Sequence, residues 1–223
     1  MFNLKKFLFS FGLIFCLFSF VPGIFAYEKS VKDLAAKFNI TAEKMDTILT
    51  EGKRKFVPIV SSDRDFYIGL LSNKKNSEYM KYYRNGHIMS KASSENIFKG
   101  KLSRMWDFAK PKTLAFIVKE DGKSVGFVAA GPVDGSSSDP EMGMIVEKKS
   151  SGKGLGSFIA KKLVSVMQEL KNLKIYKYKT LVSTIKPNNV ASRKAVLNAG
   201  FTTKERIVKT EFGKEKIYKY KFS

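Results

Sequence analysis

Residues 141–157, EMGMIVEKKSSGKGLGS, decide the fold of this chain. The first six alternate like a strand, and the rest form a glycine-rich turn. An apolar pattern at helical spacing follows, with apolar residues at Phe158, Ile159, Leu163, Val164, Val166, Met167 and Leu170. The first N–H groups of a helix have no partner inside it, and its N-terminal end is electropositive. A strand, a glycine loop and a helix in this order therefore predict a phosphate-binding turn.

Two known glycine loops do not fit this stretch. A P-loop needs four residues between its glycine and the closing Gly-Lys-Ser/Thr, and that spacing is missing. A dinucleotide loop needs its third glycine where Ser157 stands. What remains is G-x-G-x-G over Gly152–Gly156, with NVAS at residues 189–192 and a closing GF at residues 200–201.

This combination resembles the GNAT superfamily of acyl-CoA N-acyltransferases, and within it the branch that acetylates ribosomal-protein N-termini. The resemblance runs from Lys55 to the end of the chain. It implies an α/β (α+β) fold, in which a mixed, mostly antiparallel sheet is flanked by helices. It also implies that the loop cradles the coenzyme A pyrophosphate, with Gly154 and Gly156 at the two small positions and Ser151 where the family has Arg or Gln.

The resemblance also assigns the residues that hold acetyl-CoA as cosubstrate. Backbone groups near Met144 would polarise the thioester carbonyl, and Val146 would pair with pantetheine. The complete implied set is Met144, Ile145, Val146, Ser151, Gly152, Lys153, Gly154, Leu155, Gly156, Ser157, Asn189 and Ser192. No metal site is predicted, because the chain has a single histidine, His87, and a single cysteine, Cys16.

Acyl transfer from a thioester to an amine requires a neutral amine and a protonated leaving thiolate. Glu141 is the candidate base, directly or through water; alternatively it is a strand-edge carboxylate paired with a lysine. Many family members carry a Tyr acid where Val196 stands, so Ser192 becomes the candidate acid; its alternative is a helix hydroxyl bonded to its own backbone. Asn189 either contacts pantetheine or caps a helix. No cysteine follows Cys16, which favours direct attack over a covalent enzyme intermediate.

The composition is strongly basic, with 41 Lys and Arg against 20 Asp and Glu and a formal net charge of +21. One explanation is an acidic partner, such as an acidic protein acceptor. The other is base composition, since 35 of the 41 basic residues are Lys and they are spread along the chain. A non-catalytic acyl-CoA-binding module is the alternative to an enzyme. A basic protein that binds nucleic acid or a membrane surface is the third possibility, although nothing predicts a specific nucleic acid.

Three regions are predicted: an N-terminal segment at 1–26, a short helix pair at 27–53 that is a packing appendage or spacer, and the acetyltransferase domain at 54–223. The first has an apolar run at Phe7–Phe20 after two lysines, which indicates an export signal cleaved before Tyr27. The alternative is an uncleaved membrane anchor. The protein would accordingly be secreted or delivered to another cell, or else anchored with its domain in the cytoplasm, where acetyl-CoA is found.

Periodicity and turn residues predict the individual elements. Helices are expected at Ser30–Phe38, Thr41–Leu49, Ser62–Leu71, Asn76–Tyr83, Ser93–Ala109, Phe158–Leu170 and Val190–Asn198. Strands are expected at Lys55–Val60, Thr113–Lys119, Lys123–Gly131, Asp139–Val146, Lys179–Ile185, Thr202–Thr210 and Lys214–Phe222. Thr41 is expected to cap the second helix, and Ser62-Asp63 the helix that ends at Leu71. Gly52 is expected to stop a helix, and Asp121-Gly122 to form a tight hairpin turn.

Overall fold

The computed structural model describes residues 22–73, 76, 88–105, 113–132, 139–210 and 213–223. Several sequence predictions lie outside these residues: most of the N-terminal signal or anchor with Cys16, the Asn76–Tyr83 helix beyond its first residue, and His87. Within the described part of the chain, no helix is long and apolar enough to cross a membrane.

The described elements alternate between helices and strands. The helices are α1 (Pro22–Lys37), α2 (Ala42–Leu49), α3 (Arg64–Ser72), α4 (Lys91–Met105), α5 (Leu155–Asn172) and α6 (Val190–Asn198). The strands are β1 (Thr50–Glu51), β2 (Arg54–Pro58), β3 (Leu114–Glu120), β4 (Lys123–Gly131), β5 (Glu141–Val146), β6 (Thr180–Ile185), β7 (Thr202–Thr210) and β8 (Gly213–Lys221).

One eight-stranded sheet has the order β1-β2-β3-β4-β5-β6-β8-β7. Its neighbouring strands pair antiparallel everywhere except between β5 and β6, which run parallel. A parallel pair needs a long crossover connection, and α5 provides it. The prediction of a mixed, mostly antiparallel sheet flanked by helices is confirmed.

The two faces of the sheet carry separate cores. Alternate residues of a strand point to opposite faces, so Phe116 and Val118 of β3 join the cluster with α5 and α6, while Ala115 and Ile117 join the cluster with α3 and α4. We call these the α5 face and the α3 face. They define the two sides from which the middle of the sheet can be approached.

The Asp121-Gly122 turn forms as predicted. Asp121 has φ 49° and Gly122 has φ 76°, the pair of positive φ angles that a two-residue type I′ hairpin requires. Gly52 was expected to stop a helix, and this is wrong in detail. α2 ends at Leu49, and Gly52, with φ 58°, lies in the turn between β1 and β2 instead.

Two predicted helix starts need correction. α1 begins at Pro22, well before Ser30, and runs through the predicted cleavage position before Tyr27. Proline is tolerated in the first helical turn because its missing N–H would have no partner there. Asp63 was expected to cap α3, yet its Oδ2 accepts a hydrogen bond from the backbone N–H of the preceding Val60, at 2.9 Å.

The N-terminal helix pair packs on the α5 face. Apolar residues of α1 and α2, such as Leu34 and Ile48, belong to the same buried cluster as Leu163 of α5. Lys162 of α5 is buried as well, and its Nζ donates to the carbonyl of Thr50 at 2.8 Å. Thr41 caps α2, as its side chain accepts from a backbone N–H in the first turn.

Candidate active site

Strand β5 lies in the middle of the sheet but is poorly covered. Of its six residues only Met142 is buried, and Gly143 is exposed. In the described strands its parallel pairing with β6 is recorded at one register position, Glu141 opposite Val182. Beyond that position the strands are joined by side chains: Ser183 Oγ donates to the Met142 carbonyl at 3.5 Å. A gap between β5 and β6 therefore opens beyond Met142.

Glu141 stands at the closed end of this gap. Its Oε1 accepts the backbone N–H of Thr184 on β6, at 3.1 Å. In a continued parallel ladder that N–H would bond a main-chain carbonyl of β5. The carboxylate takes the place of a ladder bond and holds the two strands apart.

The backbone of β5 offers hydrogen-bonding groups to the gap. The Glu147 N–H donates to the Val125 carbonyl of β4 at 2.9 Å, and in an antiparallel pair alternate residues face the same neighbour. Met144 and Val146 therefore point their backbone groups into the gap, and their contacts with acetyl-CoA stay a prediction. Ile145 pairs with Phe127 of β4, so its backbone does not face the gap.

The glycine loop that follows β5 has an open conformation. Gly152 has φ 77° and Gly154 has φ 72°, and in the part of the chain that the structure describes no atom lies within 4 Å of a Cβ built at either position. L side chains rarely adopt such angles, which explains why glycine is used here. Gly154 directly precedes α5. The first backbone hydrogen bond of the helix runs from the Phe158 N–H to the Gly154 carbonyl, at 3.0 Å.

Three backbone N–H groups at the start of α5 therefore remain available. They belong to Leu155, Gly156 and Ser157, and none has an acceptor among the described residues. The Leu155 side chain is buried, so this residue offers only its backbone. Unpaired N–H groups at a helix N-terminus are a ready anion site. The pyrophosphate contact that the family resemblance implies for this loop stays a prediction.

The two serines of the loop have other bonds for their hydroxyls. Ser151 Oγ donates to the Lys148 carbonyl at 2.8 Å, closing a local turn. Ser157 Oγ accepts from Asn198 Nδ2 at 3.2 Å, which ties α5 to α6. The Ser151 N–H donates to the same Lys148 carbonyl, at 3.1 Å, so neither donor of Ser151 is directed to a phosphate. Ser157 still has its N–H and its hydroxyl hydrogen for the predicted phosphate contact. Lys153 is exposed in the loop, where an ammonium can approach an anion.

Gly156 brings the predicted segments together. A Cβ built there would lie 3.6 Å from Ala195 Cβ of α6 and 4.0 Å from Met144 Cε of β5. The loop, the gap strand and α6 thus meet at one small residue. Ala195 and Asn198 were missed at the sequence level, because contacts across a helix pair leave no local signal.

The electrostatics of Glu141 suit proton transfer. Burial raises the pKa of its carboxyl above the ordinary value, hydrogen bonds from Thr184 oppose this, and the charge of Glu215 on β8 adds to the rise. Within the described residues no lysine forms an ion pair with Glu141. The alternative of a lysine-paired carboxylate thus finds no support there.

The NVAS segment lies at the start of α6. Asn189 Oδ1 accepts the backbone N–H of Ser192 at 3.2 Å, so Asn189 caps this helix. Ser192 is half-buried, and its hydroxyl has no recorded hydrogen bond among the described residues. The predicted alternative, a hydroxyl bonded to its own backbone, is not what the described residues show. Among those residues, no His, Cys, Asp and Glu side chains group to hold a metal.

A family model for the acetyltransferase (GNAT) domain matches residues 55–202, well over half of the chain. The chain belongs to the GNAT acetyltransferase family. A search of curated proteins finds no significant match. The family resemblance inferred from the glycine loop and the NVAS and GF segments is confirmed.

Solved GNAT structures share the fold at low identity. RimL, a ribosomal alpha-N-protein acetyltransferase in complex with coenzyme A, has 12% identity and a TM-score of 0.64 over 78% of this chain and 97% of its own. The microcin C7 self-immunity acetyltransferase MccE, with acetyl-CoA and AMP, has 19% identity and a TM-score of 0.63 over 79% and 100%. Spermidine N-acetyltransferase from Vibrio cholerae, with CoA and spermine, has 13% identity and a TM-score of 0.61 over 77% and 96%.

Proposed function

We propose that this GNAT acetyltransferase moves an acetyl group from acetyl-CoA to a primary amine by direct attack. The observation that carries the proposal is the continuity of the β5–β6 gap with the free N–H groups at the start of α5. The loop would hold the pyrophosphate, and the backbone of Met144 and Val146 would pair with the pantetheine amides. The gap would then direct the thioester toward Glu141.

The chain supplies the groups that the transfer requires. The amine nitrogen attacks the thioester carbonyl carbon, a C–N bond forms, and the C–S bond breaks. Glu141 takes the amine proton, directly or through water, and its raised pKa brings it closer to the pH at which a base is most effective. Ser192 gives a proton to the leaving thiolate and regains one from solvent.

The acceptor is a protein N-terminus, a lysine or a polyamine. Two of the similar structures are named as acetyltransferases of a ribosomal protein N-terminus and of spermidine. Both acceptors carry a primary amine. The net charge of +21 would favour an acidic protein as the carrier of that amine, since opposite charges steer association.

Residues 1–26 are proposed to be an export signal that is cleaved before Tyr27, with an uncleaved membrane anchor as the alternative. Lys5 and Lys6 before the apolar run at Phe7–Phe20 support both. The intact mass of the protein recovered from the producing cells, and the fraction in which it is found, distinguish the two.

Calorimetry and turnover together test the proposed function. We expect the purified protein to bind acetyl-CoA but not acetate or ADP at the same concentrations, and Gly154→Glu to abolish this binding because a carboxylate would occupy the anion site. Release of free thiol in the presence of an amine panel reports transfer. Binding without any turnover would instead support a non-catalytic module, which the missing Arg or Gln at Ser151 and missing Tyr at Val196 favour.

A further inference from the structure

Gly143 occupies an unusual place in the sheet. It lies on β5, between β4 and β6, in a sheet that carries helices on both faces. Residues of such a strand are ordinarily buried on both sides. Gly143 is exposed instead, and no atom of the described residues lies within 4 Å of a Cβ built there. The sheet is therefore open to solvent at this residue.

The strand register shows which face of the sheet is open at Gly143. Gly143 pairs with Ala129 of β4, which belongs to the α3-face cluster, and the next residue on the same side, Ile145, packs against that cluster. Met144 points the opposite way, toward Gly156 and the phosphate loop. Glu141 lies two residues before Gly143 and so shares its face.

Sheet packing does not require a glycine at this position. Gly126 of the neighbouring strand is a useful contrast: a Cβ there would lie 2.9 Å from the Ile145 carbonyl oxygen, so its small size serves the packing of the strands. Nothing comparable restricts Gly143, whose φ is not positive. A side chain would fit at Gly143 and would occupy only the open space.

We infer that Gly143 determines the size of the acceptor: the amine approaches from the α3 face across this glycine, between Glu141 and Ile145, to reach the acyl group in the gap. The inference rests on the proposed function and adds the residue that limits the size of the acceptor. The amine then reaches the thioester from the side opposite the phosphate loop, next to the proposed base. Any side chain at residue 143 would narrow this route without touching the donor loop.

Two substitutions of the full chain, Gly143→Ala and Gly143→Val, test this inference. The probes are methylamine, spermidine and a short peptide with a free N-terminus, each assayed with acetyl-CoA. We expect the KM for spermidine or the peptide to rise by roughly tenfold in the valine variant and less in the alanine variant, with methylamine the least affected. The KM for acetyl-CoA should stay within about twofold of the parent, since only the acceptor route is narrowed.

Both variants should fold, because glycine weakens a strand and its replacement favours one. Thermal melting checks this, and Gly100→Ala on α4, also in open space, is the matched control with unchanged kinetics. If no amine supports turnover in the parent, the proposed function fails and this inference falls with it. If the parent turns over but Gly143→Val treats all three amines alike, or loses acetyl-CoA binding, the inference alone is overturned.

Discussion

Glu141 joins two roles in a single side chain. Its Oε1 replaces a ladder bond by accepting the Thr184 N–H, and its carboxyl, with a pKa raised by burial, stands on the face from which we expect the amine. Because β5 and β6 separate at Glu141, a potential base lies at the point where the gap between these strands begins. In the proposed mechanism, the side chain that makes this contact would also be the base.

Glu141→Gln separates these two roles, because an amide oxygen can still accept the Thr184 N–H but cannot take a proton. We expect kcat to fall by roughly 10²–10⁴-fold with little change in melting temperature. In the parent, kcat/KM should rise with pH through the pKa of Glu141, above the ordinary carboxyl value, because a base acts only when deprotonated. Rate measurements from pH 4 to 9 check this.

The glutamine variant should lack that rising limb. A variant with the parent rate and the parent pH profile would show that Glu141 is purely structural. Ser192→Ala serves as a companion, since loss of an acid should leave the rising limb in place while lowering kcat.

At the scale of elements, the phosphate loop depends on two residues with positive φ. Gly154→Ala places a Cβ in open space but at φ 72°, a conformation that costs an L residue about 1–2 kcal/mol. We expect the loop to relax and the Kd for acetyl-CoA to rise about tenfold, the equivalent of about 1.4 kcal/mol. Calorimetry and urea denaturation measure the two effects.

Gly156→Ala provides the matched comparison within the same loop. Its φ is not positive, and a Cβ there would make only ordinary contacts with Ala195 and Met144. Its free energy of unfolding should equal or exceed that of the parent, since alanine favours a helix. An equal loss of stability in both variants would contradict the assignment of strain to Gly154.

Elements with a local signal were predictable, and those created by distant contacts were not. The Asp121-Gly122 hairpin, the Thr41 cap of α2 and the loop before α5 follow from short patterns, and the structure has them. The separation of β5 from β6 depends on a bond between Glu141 and Thr184, which are 43 residues apart. No pattern within a strand predicts such a bond, so the sequence indicated a candidate site but not the shape of its gap.

The sequence did not predict the open face at Gly143, for a similar reason. A glycine in a strand predicts a bulge or a close approach of another group. Gly126 fits that expectation, and Gly143 does not. Only the register with Ala129 shows which face lacks a side chain.

At the scale of the whole molecule, the N-terminal helix pair and the phosphate loop share one helix. α5 begins at the loop and carries Lys162, whose buried Nζ donates to the Thr50 carbonyl and lies 3.8 Å from Glu51. A buried ammonium is tolerated only with such partners. Lys162 therefore connects residues 42–51 to the element that would bind the donor.

Lys162→Met tests this connection, with exposed Lys161→Met as the matched control. We expect Lys162→Met to lower the free energy of unfolding by about 1 kcal/mol at pH 7 because the Thr50 carbonyl loses its donor, and amide exchange in residues 42–51 to become faster. Burial lowers the pKa of Lys162 in the folded chain below 10.5. Between this lowered pKa and 10.5 the unfolded chain binds more protons than the folded chain, so the free energy of unfolding rises with pH. Lys162→Met should lack this rise in stability with pH, and Lys161→Met should keep it. Urea denaturation from pH 7 to 10.5 measures both. Identical pH profiles for the two variants would contradict the connection of residues 42–51 to α5 through Lys162.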